Sequence, residues 1–219
     1  KEIGNVFRRV VTLMDEAEAD EVVMLSKIDL SDGFWRMLVE GDQVWNFCYV
    51  MPDPPGDPIR IFVPSALQMG WADPPAFFCA TTETVRDVAQ FWIDDPDLII
   101  PPHVLEKFVE ANIDARRQTS KGPQHQMSAV YVDDFLGACV ENAKGTLLQK
   151  TARATLHAMH SMFPSPEATG TPDAKDPISL KKLIKGDGRW ETQKEVLGYL
   201  LDGVARTVQL PSDRAEALL

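Results

Sequence analysis

The chain has 219 residues, enough for one large domain or two small ones, and 44% of them are hydrophobic, which supplies a sizeable core. Its formal net charge of −11 disfavours nonspecific attraction to phosphate backbones, so a nucleic-acid enzyme of this composition needs local basic surface or a divalent cation. No apolar run approaches the roughly 20 residues that span a bilayer, which excludes a helical membrane anchor within this sequence.

The first residues, Lys1-Glu2-Ile3-Gly4, carry neither an initiator Met nor the apolar core of a signal peptide, and read as part of a longer chain. Val6, Val10, Leu13 and Met14 recur at helical spacing against Arg8, Arg9 and Asp15, predicting a helix over 5–14 with one buried face. An acidic break follows at 15–21. Residues 22–28 predict a largely buried strand ending at Asp29. A turn at 30–34 leads to 35–39, and Gly41-Asp42 turns the chain into a predicted strand at 44–50. The Pro/Gly stretch 52–58 reads as an exposed turn, 59–63 as a further strand, and 64–75 as irregular. Ala76 to Trp92 has the pattern of a buried helix.

Residues 94–126 are polar and read as an insertion between core elements, with a short helix over 103–117 and a closing loop at 120–123. Next comes Ala129-Val130-Tyr131-Val132-Asp133-Asp134-Phe135-Leu136-Gly137-Ala138-Cys139-Val140, two apolar runs joined at a pair of aspartates. That is the pattern of a tight hairpin. A helix is predicted over 150–163 and a loop over 164–176. Trp190, Val196, Leu197, Tyr199 and Leu200 form a strand pair closed by Asp202-Gly203, with 204–210 as its partner. Strands and helices alternate irregularly among hairpins, which favours an α+β fold over a doubly wound sheet. Cys48, Cys79 and Cys139, odd in number and without metal-ligand spacing, read as reduced core thiols of an intracellular protein. His103, His125, His157 and His160 show no ligand pattern. His157 and His160 share a helix face but lack an acidic partner in register, and read as surface residues.

Two carboxylates side by side at a hairpin tip repel each other unless a cation sits between them, although aspartates also occupy turns simply because turns suit them. Asp29 closes one strand and Asp133 lies at a hairpin tip far away in sequence. If those strands are neighbours in one sheet, Asp29, Asp133 and Asp134 converge as oxygen ligands for hard divalent ions. Two such ions about 4 Å apart activate an attacking hydroxyl and stabilise a leaving oxygen in phosphoryl transfer.

These residues also carry a family resemblance. Lys27-Ile28-Asp29-Leu30-Ser31-Asp32-Gly33-Phe34-Trp35-Arg36-Met37 resembles the first catalytic motif of reverse transcriptases. Val63-Pro64-Ser65-Ala66-Leu67-Gln68-Met69-Gly70-Trp71, continuing to Phe78-Cys79, resembles their second motif, and Tyr131-Val132-Asp133-Asp134 their third. Val196-Leu197-Gly198-Tyr199 is similar to the hairpin that grips the primer, and the wording is most like gypsy-type LTR retrotransposon enzymes. The match covers roughly 15–210 apart from 94–126, with the motifs in the family's order.

The resemblance implies a polymerase palm with partial fingers over 1–210, an antiparallel sheet backed by helices, with 211–219 opening a further C-terminal region. It implies an RNA-directed DNA polymerase that extends a DNA primer on an RNA or DNA template, using deoxynucleoside triphosphates and two Mg²⁺ or Mn²⁺ ions. Asp29, Asp133 and Asp134 would be catalytic and metal-binding, with the backbone of Leu30 facing a metal. Ser31, Asp32, Gly33, Phe34, Met69, Gly70 and Trp71 would form the nucleotide site, Phe34 excluding a 2′-hydroxyl. That position argues against an RNA-templated RNA polymerase. Leu197, Gly198 and Tyr199 would grip the primer. Lys182 would be the general acid, with Lys181 and Lys185 as alternatives, or all three are a solvated basic cluster. Retroviral enzymes carry Gln where Met69 stands, and the insertion at 94–126 departs from the family pattern, as a surface elaboration or a sign of decay. Ribonuclease H and integrase segments would lie elsewhere in a polyprotein, in the cytoplasm or in virus-like particles. The alternative is an inactive relic that keeps the palm as a scaffold or binding module.

Overall fold

A computed structural model describes residues 3–19, 21–52, 54–70, 73–110, 126–140, 146–171 and 174–217. The fold is α+β, built on a three-stranded antiparallel sheet of order β1-β5-β4: β1 Val23–Asp29, β4 Gln126–Tyr131 and β5 Asp134–Val140. Strand alternation sends neighbouring residues to opposite faces. Ile28, Val130 and Phe135 face a core formed with α2 (Pro74–Asp94) and α3 (Thr146–Met162). Leu25, Ala129 and Leu136 face the other way, onto α1 (Ile3–Glu16) and the strands β6 (Gln193–Val196) and β7 (Tyr199–Asp202). The α1 stripe Val6, Val10, Leu13, Met14 is buried as its spacing predicts.

β8 (Thr207–Gln209) completes a second sheet of order β6-β7-β8. Its attachment to the first is by backbone: Leu25 and Glu191 exchange hydrogen bonds at 2.8 and 2.9 Å, and Val23 N–H donates to Gly203 O at 3.3 Å. Three helices of six residues or fewer, α4 (Pro166–Thr169), α5 (Leu180–Lys185) and α6 (Ser212–Glu216), complete the described chain. Among the described residues no helix is long and apolar enough to cross a membrane.

Several elements differ from expectation. Residues 44–50 are mostly a 3-10 turn, Val44–Phe47, with only β2 (Tyr49–Val50) pairing to β3 (Ile61–Phe62). With both strands exposed there is no core face to extend the pairing, and Tyr49 stacks on Phe62 at 5.0 Å instead. Residues 35–39 begin in another 3-10 turn, Gly33–Arg36, and only Leu38 bridges to Ala66. The loop at 164–176 contains α4, capped by the Ser165 hydroxyl accepting Ala168 N–H at 3.3 Å and ended by left-handed Gly170. The strand pair predicted to close at Asp202-Gly203 is two hairpins, the first turning at Leu197-Gly198. The described part of 94–126 is not a surface elaboration, because Ile100, Leu105 and Val109 join the main core. There, the predicted helix is a 3-10 turn, Glu106–Phe108; the remainder, with the loop at 120–123 and His125, lies outside the described residues.

Candidate active site

The β1–β5 register sets Asp29 directly opposite Asp134, so two carboxylates far apart in sequence meet at one end of the sheet. The β4–β5 hairpin pairs Tyr131 with Asp134, so its two-residue loop is Val132-Asp133, one position earlier than the Asp-Asp pair suggests. Val132 has φ +57, and Asp133 is not among the positive-φ residues, the pattern of a type II′ turn in which glycine is usual. A β-branched residue held left-handed is strained, and such strain is tolerated where surrounding packing fixes it. Here Val132 packs on the main core, which aims Asp133 off the tip. The Asp133 carbonyl accepts Leu30 N–H at 3.1 Å, tying the tip to the end of β1.

The three carboxylates are neighbours, but Asp133 and Asp134 border different clefts. Asp133 lines a cleft of about 410 Å³ with Asp32, Gly33, Phe34, Met69 and Val132. Asp134 lines a more polar cleft of about 580 Å³, with Lys27 and the Leu197-Gly198 turn. Asp29 is 8% exposed, and its Oδ1 pairs with Lys182 Nζ at 2.5 Å. Lys182 is presented by α5, which the left-handed Gly186 ends. Lys182 is thus ion-paired at the end of the sheet while its side chain stays partly exposed, and Lys185 lines the polar cleft.

Electrostatics reflect this crowding. Burial, then the charge of Asp29, pushes the Asp133 carboxyl above its ordinary value. Burial pushes Asp134 up to about 6; Lys27 opposes this, while a hydrogen bond with Asp29 and the charges of Asp133 and Asp29 add to it. Burial works against the Lys182 ammonium, but its bond to Asp29 and the three carboxylate charges more than reverse that and raise its pKa. A hydrogen bond between two carboxyl groups needs a proton, or in its place a cation.

A raised carboxyl pKa stabilises the folded state below the unfolded value of 3.8, and that contribution is lost as pH rises through about 6. Asp134→Asn should therefore stabilise the cation-free protein by ~1–2 kcal/mol near neutral pH and change little near pH 4. Thermal melts at the two pH values test this. A lower midpoint near neutral pH would show the Asp134 carboxylate to be already satisfied.

Among the described residues no three His, Cys, Asp or Glu side chains form a ready metal-holding group. An all-oxygen set of two or three carboxylates nevertheless suits Mg²⁺ or Mn²⁺. Mg²⁺ in particular is commonly held by one or two carboxylates together with substrate phosphates and water. Burial and the charge of Asp29 disfavour ionisation of both Asp133 and Asp134, a cost that such an ion would relieve, so the residues fit it.

The other predicted residues are placed in different ways. Gly33 presses on Phe78, where an added Cβ would lie 2.3 Å from the ring, and Phe34 packs on the same ring at 4.7 Å between centroids. Asp32 is left-handed, with its carboxylate 2.7 Å from Lys175 Nζ, and Met69 is exposed at the cleft mouth. Ser31 contributes backbone, its N–H donating to Pro177 O at 2.7 Å and its carbonyl accepting from Arg36 at 2.7 Å. Gly70 has φ +102, and among the described residues no atom lies within 4 Å of where its Cβ would be, the signature of a turn glycine. Leu197 and Gly198 reach the polar cleft, but Tyr199 packs edge-on against Phe7 at 5.2 Å. Trp71 lies outside the described residues.

Sequence reasoning missed Phe78 as the prop beneath Gly33-Phe34, and Lys27 beside Asp134. Lys27 stands two residues before Asp29 on the same strand face, a signal legible from strand period alone. His160 is not a plain surface residue: its Nε2 lies 3.2 Å from Asp176 Oδ1, an acidic partner supplied by the loop after α3, and it also faces His103, which is 8% exposed. Comparison with known proteins finds no matching family model and no matching curated protein.

Proposed function

We propose that the chain is the palm, with partial fingers, of an LTR-retrotransposon RNA-directed DNA polymerase that extends a DNA primer on an RNA or DNA template. The observation that carries this reading is the pairing of Asp29 with Asp134 beside the Val132-Asp133 turn, which gathers the carboxylates of two remote motifs at one sheet end. Asp29, Asp133 and Asp134, with the Leu30 carbonyl, would hold two Mg²⁺ or Mn²⁺ ions. Such ions, when bound, favour the ionised primer hydroxyl and neutralise charge on the leaving pyrophosphate.

The chain's own residues bind and orient. In this reading the Phe34 ring, backed by Phe78, packs under the sugar of a deoxynucleoside triphosphate and leaves no space for a 2′-hydroxyl. Met69 closes the same cleft from the side. Lys182, kept protonated by its carboxylate neighbours, hands a proton to the departing pyrophosphate oxygen. The Leu197-Gly198 turn steadies the primer end across the polar cleft. In this reading the template and primer are nucleic-acid partners, and ribonuclease H and integrase segments belong to the rest of a polyprotein, working in the cytoplasm or in virus-like particles.

A second reading, an inactive relic kept as a scaffold or binding module, is favoured by the Lys182–Asp29 pair at 2.5 Å, which satisfies one carboxylate with a protein ammonium, and by the net charge of −11. Titration calorimetry with dATP separates the two. The polymerase reading expects binding at least about tenfold tighter with Mn²⁺ than with chelator, about 1.4 kcal/mol. Absence of metal-dependent heat favours the relic.

A further inference from the structure

A file of hydrogen bonds approaches the Leu30-Ser31 backbone from α3. His103 Nδ1 accepts Leu105 N–H at 3.1 Å, so the neutral ring carries its proton on Nε2, which faces His160 Nδ1 at 3.0 Å. His160 accepts there, and its own Nε2–H points to Asp176 Oδ1 at 3.2 Å. The same carboxylate oxygen accepts Ile178 N–H at 2.7 Å. Donors therefore run one way along the file, and one proton per ring satisfies every contact. A second proton on either ring sets two donors face to face: His103 Nδ1–H against Leu105 N–H, or His160 Nδ1–H against His103 Nε2–H.

The far end of the file is stitched to the nucleotide cleft. Leu30 bridges to Ile178, and Ser31 N–H donates to Pro177 O at 2.7 Å. The Arg36 guanidinium binds Ser31 O, Lys175 O and Asp176 O at 2.7, 2.8 and 2.9 Å, clamping residues 174–178 to the loop that leads into Asp32, Gly33 and Phe34. Other titratable groups surround the file. His157 from α3 lies edge-on to His103 at 4.7 Å. Glu106 accepts His103 N–H at 3.3 Å and pairs with Arg153 at 2.9 Å. Burial, then the neighbouring His160 and His157, holds His103 down to about 4. Asp176 stays below its ordinary value despite burial, because His160 and Ile178 N–H donate to it.

The geometry points to Asp176 and His160 as positioning residues for the nucleotide cleft, and to the file from Leu105 to Ile178 as a proton-sensitive brace. Neutral rings satisfy every contact of the file; an added proton opens it at Leu105 or between the rings, and that displacement loosens the Leu30-Ser31 backbone. The link to catalysis rests on the nucleotide reading given above.

Amide hydrogen exchange of the full chain, followed by NMR from about pH 7.5 to about pH 4.5 and corrected for intrinsic rates, tests the brace. Protection at Ser31 and Ile178 should fall about tenfold, with Leu136 in β5 holding its protection as the reference. His160→Gln removes the ring that links His103 to Asp176 and should abolish the fall; His160→Asn serves if the first variant does not fold. With Mn²⁺ present, dATP affinity should drop about threefold further with acid in the wild type than in the variant. Exchange that is indifferent to pH, or that falls alike in wild type and variants, overturns the brace. Exchange that responds in a protein that never binds dATP sinks the nucleotide reading and supports the brace.

Discussion

Asp133→Asn is expected to abolish Mg²⁺-dependent primer extension, a loss of ~10³-fold or more, about 4 kcal/mol of transition-state stabilisation. The substitution is close to isosteric, and it spares the local fold, because Leu30 N–H donates to the main-chain carbonyl of residue 133. What it removes is a charge on the cleft side of the hairpin tip, facing Phe34 and Met69 across about 410 Å³. Single-nucleotide extension by a longer chain carrying these residues is the measurement, with thermal stability checked alongside. Extension at the wild-type rate removes Asp133 from the mechanism.

The largest effect on stability is expected from Gly203→Ala. A Cβ there would lie 1.9 Å from Val23 O and 2.8 Å from its carbonyl carbon, contacts that no rotamer change relieves because they are backbone. Gly203 also donates to Thr192 O at 2.7 Å and accepts from Val23, so it joins the second sheet to β1. Separation of those edges should cost ~3 kcal/mol or more, and lower the melting midpoint by roughly 6–12 °C in a chain of this size. Urea unfolding gives the free energy directly. A loss below about 1 kcal/mol would mean that the two edges part without penalty.

The main sheet and its helices were legible because period and burial agree there. The α1 stripe, the β1 run into Asp29 and the paired aspartates each follow from residues within one segment. The Asp29–Asp134 juxtaposition was anticipated as a possibility of sheet neighbours, but its register was not. The hairpin loop begins at Val132 rather than Asp133, since propensity alone does not favour a left-handed valine and packing imposes it. Segment 44–50 is mostly a 3-10 turn rather than a strand, because its apolar residues meet only the short, exposed β3 and have no core face to pair against. Local signals that could have been used were Ser165-Pro166 and Gly170 around α4, and Gly186 after α5. His160–Asp176 could not be read at all, since the acid comes from a loop whose path depends on Arg36 and Ile178.

The Lys182–Asp29 pair joins positions 153 residues apart, and β1 is edged on one side by β5 and on the other by the backbone of Glu191 and Gly203. No local stretch can assemble this centre on its own, so chain closure over long separations must precede it. Such topology belongs to the slow regime of milliseconds to seconds. During refolding, helical signal should return well before Phe34 and Asp133 share a cleft, and a partly folded chain would expose its paired acids to solvent for that interval.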